Sequence, residues 1–303
     1  MSDNGTFGYG HCGFVAIIGR PNAGKSTFIN QVLGYKLAAV SRVPHTTRRR
    51  WVGIWTSDEA QIIFADTPGI HESKNRMDEM MDKTIRNAIS RNDIVLLLCD
   101  PTREFGMEDE LAAKAAGSSG KTTILTMNKC DVANEEQISE MKAAYAEHFE
   151  NDLHIHEMSA LRNDGVDELI KLLIEKLPKG PFLYPEDQVA DAFLRDIAED
   201  IIRESALELL RDELPHSLAV MIDQWDERAK KIKIDATILV ERDTQKQIVV
   251  GKQGSMITSI QKSARVKLGA SLEKFVDLRL FVKVLPGWQN KIGLLKEMNL
   301  NDK

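Results

Sequence analysis

Cysteine is scarce in this chain. Cys12, Cys99 and Cys130 are the only three in 303 residues, far apart and with no CxxC pair. That spacing speaks against a disulfide framework or a cysteine zinc site and predicts reduced, structural thiols. Long apolar runs are lacking too. Stretches such as IVLLLC at 94–99 fall well short of the roughly 18 residues of a membrane span, so any membrane contact is expected to be peripheral. The opening MSDNGTFGYG has neither the basic and apolar pattern of a secretory signal nor the Arg-rich pattern of a transit peptide, and a cytoplasmic location is the expectation. No internal repeat or low-complexity tract is present.

Positive charge is in deficit overall, with 40 Lys and Arg against 46 Asp and Glu. Taken alone, a net charge of -6 argues against nucleic acid. The distribution reverses this. Between Lys230 and Lys283 twelve basic residues face five acidic ones, a local excess of 12 − 5 = 7. The remaining composition, 43% apolar and 28% charged, is that of an ordinary globular protein, and the length suits about two domains of roughly 150 residues each.

Strand and helix patterns alternate over the first 180 residues: strands FVAII, WVGIW, QIIFAD, IVLLLCD, TTILTMN and LHIHEMS, with helices from Lys25, around 76–90, around 107–116, at 135–149 and at VDELIKLLIEKL. Such alternation predicts an α/β domain with a mostly parallel sheet and helices on both faces. The prolines of PKGPFLYPEDQ suggest a linker over 181–190 between a first domain, 12–180, and a second, 191–288, followed by a tail, 289–303. In the second, a smaller α+β module, an amphipathic helix precedes the strands SLAVMIDQW and IKIDATILVER. Then come a short apolar strand IVV, the turn GKQG, a helix to about Leu272 and the strand VDLRLFVKVL.

The chemistry sits at strand ends. GRPNAGKS fits GxxxxGK[ST] between a strand and a helix, as a phosphate-cradling loop requires. Gly19 and Gly24 let backbone amides face the phosphates at the helix N-terminus, Lys25 reaches the outer phosphates and Ser26 ligates magnesium. Arg20, Pro21, Asn22, Ala23 and Thr27 complete the loop. DTPG supplies Asp66 as the magnesium-holding acid, Thr67 and Pro68, and the Gly69 amide for the terminal phosphate. NKCD contributes Asn128, Lys129 and Asp131, whose carboxylate can accept from N1 and N2 of guanine and so rejects adenine. SAL places Ser159 and the Ala160 amide where guanine O6 is expected. In SRVPHTTRRR, Thr46 or Thr47 completes the magnesium shell as a switch that orders around the third phosphate. Many GTPases carry a glutamine after DxxG to orient the attacking water, but this chain has Ile70 there. Slow intrinsic hydrolysis is therefore expected, assisted by a potassium ion held in part by Asn22.

GKQG, Gly251 to Gly254 with Lys252 and Gln253, lacks the GK[ST] ending and a magnesium acid. It matches instead the GxxG loop with which KH modules clamp about four nucleotides. Apolar Ile248, Val249, Val250, Met256, Ile257 and Ile260 are candidates for a groove floor, with core packing the commoner role.

The phosphate loop, VPHTTRRR, an apolar residue after DTPG, NKCD, SAL and the C-terminal GKQG together resemble the Era family of bacterial GTPases, over nearly the whole chain. The resemblance implies an Era-type GTPase domain followed by a type II KH domain and action in small ribosomal subunit assembly, with the KH module on the 3' end of 16S rRNA. It also implies peripheral membrane association and Thr47 as the magnesium ligand. Gln253 departs from the glycine often found there in that family. A monomer is expected. Two other readings are a membrane-associated signalling GTPase whose C-terminal module binds protein or lipid, and a tRNA-modification-type GTPase, although no catalytic cysteine or flavin motif is visible.

Overall fold

The structure is a computed structural model describing residues 8–34, 51–67, 69–70, 76–149, 153–186, 188, 190–191, 194–210, 218–228 and 230–298. The chain forms two compact units, one carried mainly by residues up to Asp191 and the other mainly by residues from Ala192 on.

In the first unit the strands are β1 (Tyr9–Ile18), β2 (Trp51–Thr56), β3 (Ala60–Asp66), β4 (Ile94–Cys99), β5 (Thr122–Met127), β6 (His154–Glu157), β7 (Lys179–Pro181) and β8 (Ala190–Asp191). Their order is β6-β5-β4-β1-β3-β2-β8, with β7 paired to β1. The pairs β1/β3, β1/β4, β4/β5 and β5/β6 are parallel, while β2, β7 and β8 run antiparallel to their neighbours. The helices are α1 (Lys25–Leu33), α2 (Arg76–Arg91), α3 (Met107–Gly117), α4 (Glu135–Ala146) and α5 (Val166–Lys176). Every residue of β4 is buried, as expected of a strand covered on both faces. From β1 the chain moves to β3 on one side and β4 on the other. The loop after β1 thus stands at a topological switch point, where open α/β sheets bind ligands.

Within 181–190, expected as a linker, Phe182, Leu183 and Tyr184 lie against this sheet. Phe182 is buried with Cys12 and Ile63, and its N–H donates to the Gly8 carbonyl at 2.8 Å. The fully buried Gln61 accepts from the Leu183 and Tyr184 amides through Oε1, at 2.8 and 3.0 Å, and donates to the Tyr184 carbonyl at 2.9 Å. A buried side-chain amide needs such partners, and the backbone of Leu183 and Tyr184, just past β7, supplies them.

The second unit runs α6 (Leu194–Leu210), β9 (Ala219–Arg228), β10 (Lys231–Val240), α7 (Asp243–Val250), α8 (Ser255–Leu272), β11 (Phe275–Val284) and α9 (Ile292–Glu297). Central β10 pairs antiparallel with β9 and parallel with β11. Alternate residues of β10, Ile232, Ile234, Ala236, Ile238 and Val240, meet Ile201 of α6, Val249 of α7 and Ile260 and Leu268 of α8 in one core. Trp288 and, from the tail, Leu295 and Met298 are buried as well.

Ile248–Val250, expected as a strand because of its β-branched run, is instead the last turn of α7. Gln245 Oε1 accepts from the Glu241 and Arg242 amides at 2.8 and 3.0 Å, which caps a helix start, and Gly251 at φ 71° ends it. Among the described residues no helix is long and apolar enough to cross a membrane. Burial pushes up the thiols of Cys12, Cys99 and Cys130, which keeps them protonated.

Candidate functional site

The loop from Gly19 to Gly24 joins β1 to α1. Lys25, at the start of α1, is buried, and its Nζ donates to the Gly19 and Arg20 carbonyls at 2.9 Å each. The ammonium therefore sits inside the loop's own curl, where phosphate oxygens can exchange with those carbonyls. Gly24 adopts φ 100°, and a Cβ there would lie 2.0 Å from Asn128 Nδ2. Asn22 adopts φ 63°, a left-handed conformation that asparagine tolerates better than most residues.

β3 brings DTPG alongside. Asp66 pairs with Ile17 across the β1/β3 ladder, which sets its backbone beside the end of β1. Thr67 is fully buried and its hydroxyl donates to the Ile17 carbonyl at 2.6 Å, so that side chain braces the strand end. Gly69 passes so near the phosphate loop that a Cβ would lie 2.8 Å from Pro21. Ile70 is buried in the core, and its amide donates to the Gly19 carbonyl at 3.1 Å.

Asn128 ties the loops together. Its Nδ2 donates to the Ala23 carbonyl at 2.8 Å and its Oδ1 accepts from the Ala160 amide at 2.9 Å. The Ala160 amide, expected on guanine O6, is thus already engaged, and meeting a base there requires sharing or exchanging that bond. Ser159 closes the same loop through paired backbone bonds with Asp164 and through its Oγ, which accepts from the Arg162 amide at 3.2 Å. Asp131 faces Arg162, with Nε 3.6 Å from Oδ2.

Arg20 was expected among the nucleotide contacts, but its guanidinium turns to α3. Nη1 donates to the fully buried Asp109 at 2.6 Å and to the Glu104 carbonyl at 3.3 Å. Asp109 also accepts from the Tyr145 hydroxyl of α4 at 2.7 Å, and burial together with the neighbouring Asp109 carboxylate pushes the Tyr145 hydroxyl far above its ordinary pKa. A buried cation and carboxylate hold each other in place, so this network braces the back of the phosphate loop. Asp109 was not legible as a partner, because 89 residues separate it from Arg20. Thr46, Thr47 and Pro68 lie outside the described residues, as does the side chain of Asp66.

In the second unit Gly251 and Gly254 have φ 71° and 79°, and Gln253 between them has φ 51°. All three sit in the region that favours glycine, which accounts physically for a glycine at the position Gln253 holds. Lys252 is exposed. Of the apolar candidates for a groove floor, Val249 and Ile260 are core residues, Met256 and Ile257 pack partly on that core, and Ile248 is the exposed one. The basic excess divides as well. Lys231, Lys267, Lys274 and Arg279 are tied to Asp277, Glu204 and Glu208, Glu227 and Asp235. Among the described residues Lys246, Lys252, Lys262 and Arg265, on α7, the GKQG turn and α8, have no ion-pair partner. Lys230, Lys233, Arg242 and Lys283 likewise have no ion-pair partner among the described residues, so unpaired positive charge lies at the glycine turn and its flanking helices and also elsewhere in the second unit.

A family model described as a 50S ribosome-binding GTPase matches residues 14–129, and a KH domain model matches residues 213–289. GTPase Era of Thermotoga maritima is 44% identical over 292 residues, covering 96% of this chain and 97% of that one. GTPase Era of Lacticaseibacillus paracasei is 39% identical, over 97% and 98% of the two chains. A crystal structure of an Aquifex aeolicus Era variant bound to GDP.AlF4- superposes with a TM-score of 0.90 at 33% identity, covering 96% of this chain and all of that one. A structure of Era with MgGDPNP and nucleotides 1506–1542 of 16S ribosomal RNA gives 0.89, again at 33% identity, over 97% of this chain. Because both modules match in the same order and the likeness runs through nearly the full length of each relative, the chain belongs to the Era family of GTPases.

Proposed function

We propose that this GTPase uses its nucleotide state to control how its KH module holds the 3' end of 16S rRNA during small ribosomal subunit assembly. The observation that carries the RNA reading is the turn Gly251–Gly254, with glycines at φ 71° and 79° and ion-pair-free lysines beside it. That geometry permits the close backbone approach a nucleic-acid clamp needs. Support comes from the solved Era bound to nucleotides 1506–1542 of 16S ribosomal RNA. Co-sedimentation with small subunits tests the assembly role. A non-hydrolysable GTP analogue should retain at least about tenfold more protein on the subunit than GDP, the effect of roughly 1.4 kcal/mol of coupling. Equal retention in both nucleotides would remove the proposed control.

At the nucleotide, Lys25 neutralises the outer phosphates, the Gly69 amide meets the terminal one, and Asp131 reads the guanine edge. Ser26, Asp66 and Thr47 would hold a magnesium ion, since a hydroxyl, a carboxylate and a second hydroxyl form the oxygen set that magnesium prefers. Magnesium supplies neutralisation of charge developing on the phosphate oxygens.

Ile70 is buried and cannot orient water, so charge stabilisation must come from elsewhere. A potassium ion would supply it, held in part by Asn22, a polar side chain carried on a left-handed turn of the phosphate loop. Replacing potassium by sodium should lower the GTP turnover rate at least about tenfold, the effect of losing one preorganised charge contact. An unchanged rate in sodium, or full activity of Asn22→Asp, would exclude potassium from the mechanism.

A further inference from the structure

The guanine loop carries a charge conflict. Lys129 and Asp131 are two residues apart, so the ammonium is within reach of the carboxylate that is to accept from guanine N1 and N2. A tight Lys–Asp pair would occupy that acceptor. In the structure the Lys129 ammonium goes elsewhere: Nζ donates to Asp100 Oδ2 at 2.5 Å. Asp100 directly follows β4 and is only 2% exposed. Its other oxygen accepts from the Thr102 amide at 3.1 Å and from the Thr102 hydroxyl at 2.5 Å. Lys129 itself has φ 65°, a left-handed backbone on which its side chain leaves the loop toward β4.

Asp131 has a looser companion. The Arg162 Nε lies 3.6 Å away, beyond a good hydrogen bond, and the Arg162 side chain is 73% exposed. A base can displace such a group without stranding a buried charge. Displacing Lys129 would differ, because a buried carboxylate deprived of its cation is costly.

We infer that Asp100 is a specificity-determining positioning residue: by holding the Lys129 ammonium it keeps Asp131 open to guanine. The inference rests on Asp131 reading guanine, as proposed above. Asp100→Asn keeps the shape and the Oδ1 acceptor for Thr102 but removes the charge that attracts Lys129. The ammonium then turns to Asp131.

Displacement of a fluorescent GDP analogue by GTP and by ITP, which lacks the 2-amino group, tests this. The unmodified protein should prefer GTP at least about tenfold, the effect of one hydrogen bond to a charged group. Asp100→Asn should bind GTP at least tenfold more weakly and prefer it by less than about threefold, having lost that contact. Adding Lys129→Met to Asp100→Asn removes the misdirected cation and should restore the preference, though not the full affinity. A merely structural Asp100 predicts no such rescue. Retention of the normal preference in Asp100→Asn, or a double variant as unselective as the single one, overturns the inference. Absence of any GTP preference in the unmodified protein instead overturns the reading of Asp131, and the inference with it.

Discussion

Gly24→Ala should bind GTP and GDP at least about a hundredfold more weakly than the unmodified protein, measured by titration with a fluorescent GDP analogue. The substitution meets two separate obstacles. At φ 100° an L side chain is strained by about 1–3 kcal/mol. The new Cβ would also lie 2.0 Å from Asn128 Nδ2, which donates to the Ala23 carbonyl. Either the loop or Asn128 must move. If Asn128 moves, a buried amide and the Ala23 carbonyl lose each other, at about 1–3 kcal/mol, and the link to the Ala160 amide goes with them. Together these reach about 3 kcal/mol or more, which is the hundredfold loss. RNA binding, carried by the other unit, should persist in this variant and so separate a local lesion from general unfolding. Nucleotide affinity within threefold of normal would mean that the loop accommodates the methyl by a route the static geometry does not contain.

What could be read in the sequence follows the range of the interactions involved. The phosphate loop is a local device: its glycines, lysine and serine must stand at fixed spacing between a strand and a helix, so GRPNAGKS identifies itself. DTPG and NKCD gain their meaning from strand ends, and strands such as IVLLLC are visible as apolar runs. Arg20 shows where this kind of reading stops. It lies within the phosphate loop and reads as a nucleotide contact, yet its guanidinium is matched to Asp109 on α3. The pairing of Lys129 with Asp100, across 29 residues, was equally invisible, because nothing near Asp100 marks it as an acceptor for the guanine loop. The packing of Phe182, Leu183 and Tyr184 on the first unit was out of reach for the opposite reason. Proline and glycine signal a break in local structure, but Gln61 on a neighbouring strand supplies the hydrogen bonds that order the segment. In α7 the β-branched run Ile248–Val250 favours a strand locally, and the cap formed by Gln245 upstream outweighs it.

Substituting aspartate at the glycine turn should remove single-stranded RNA binding while nucleotide affinity stays within about twofold, and the two glycines are not equivalent sites for the test. At Gly251 a Cβ would meet Met256 Cβ at 2.7 Å, so Gly251→Asp disturbs the start of α8 as well as the turn. At Gly254 there is no heavy atom within 4 Å of the Cβ position. Gly254→Asp therefore adds charge with only the strain of φ 79°, about 1–2 kcal/mol for a left-handed residue. Gly254→Ala carries the same strain without the charge, and the difference between the two isolates repulsion between the carboxylate and the RNA phosphates. Combining Gly251→Asp with Gly254→Asp should abolish binding. Gly254→Asp alone should weaken it at least about a hundredfold at low salt, and Gly254→Ala by about thirtyfold or less, as that strain implies. Residual binding should also lose part of its salt dependence, since each phosphate contact given up reduces the slope of log affinity against log salt by about 0.7 for a single strand. If all three variants bind RNA as the unmodified protein does, with the same salt slope, the turn is not the clamp. The uncompensated charge of Lys246, Lys262 and Arg265 would then have to hold the strand without it.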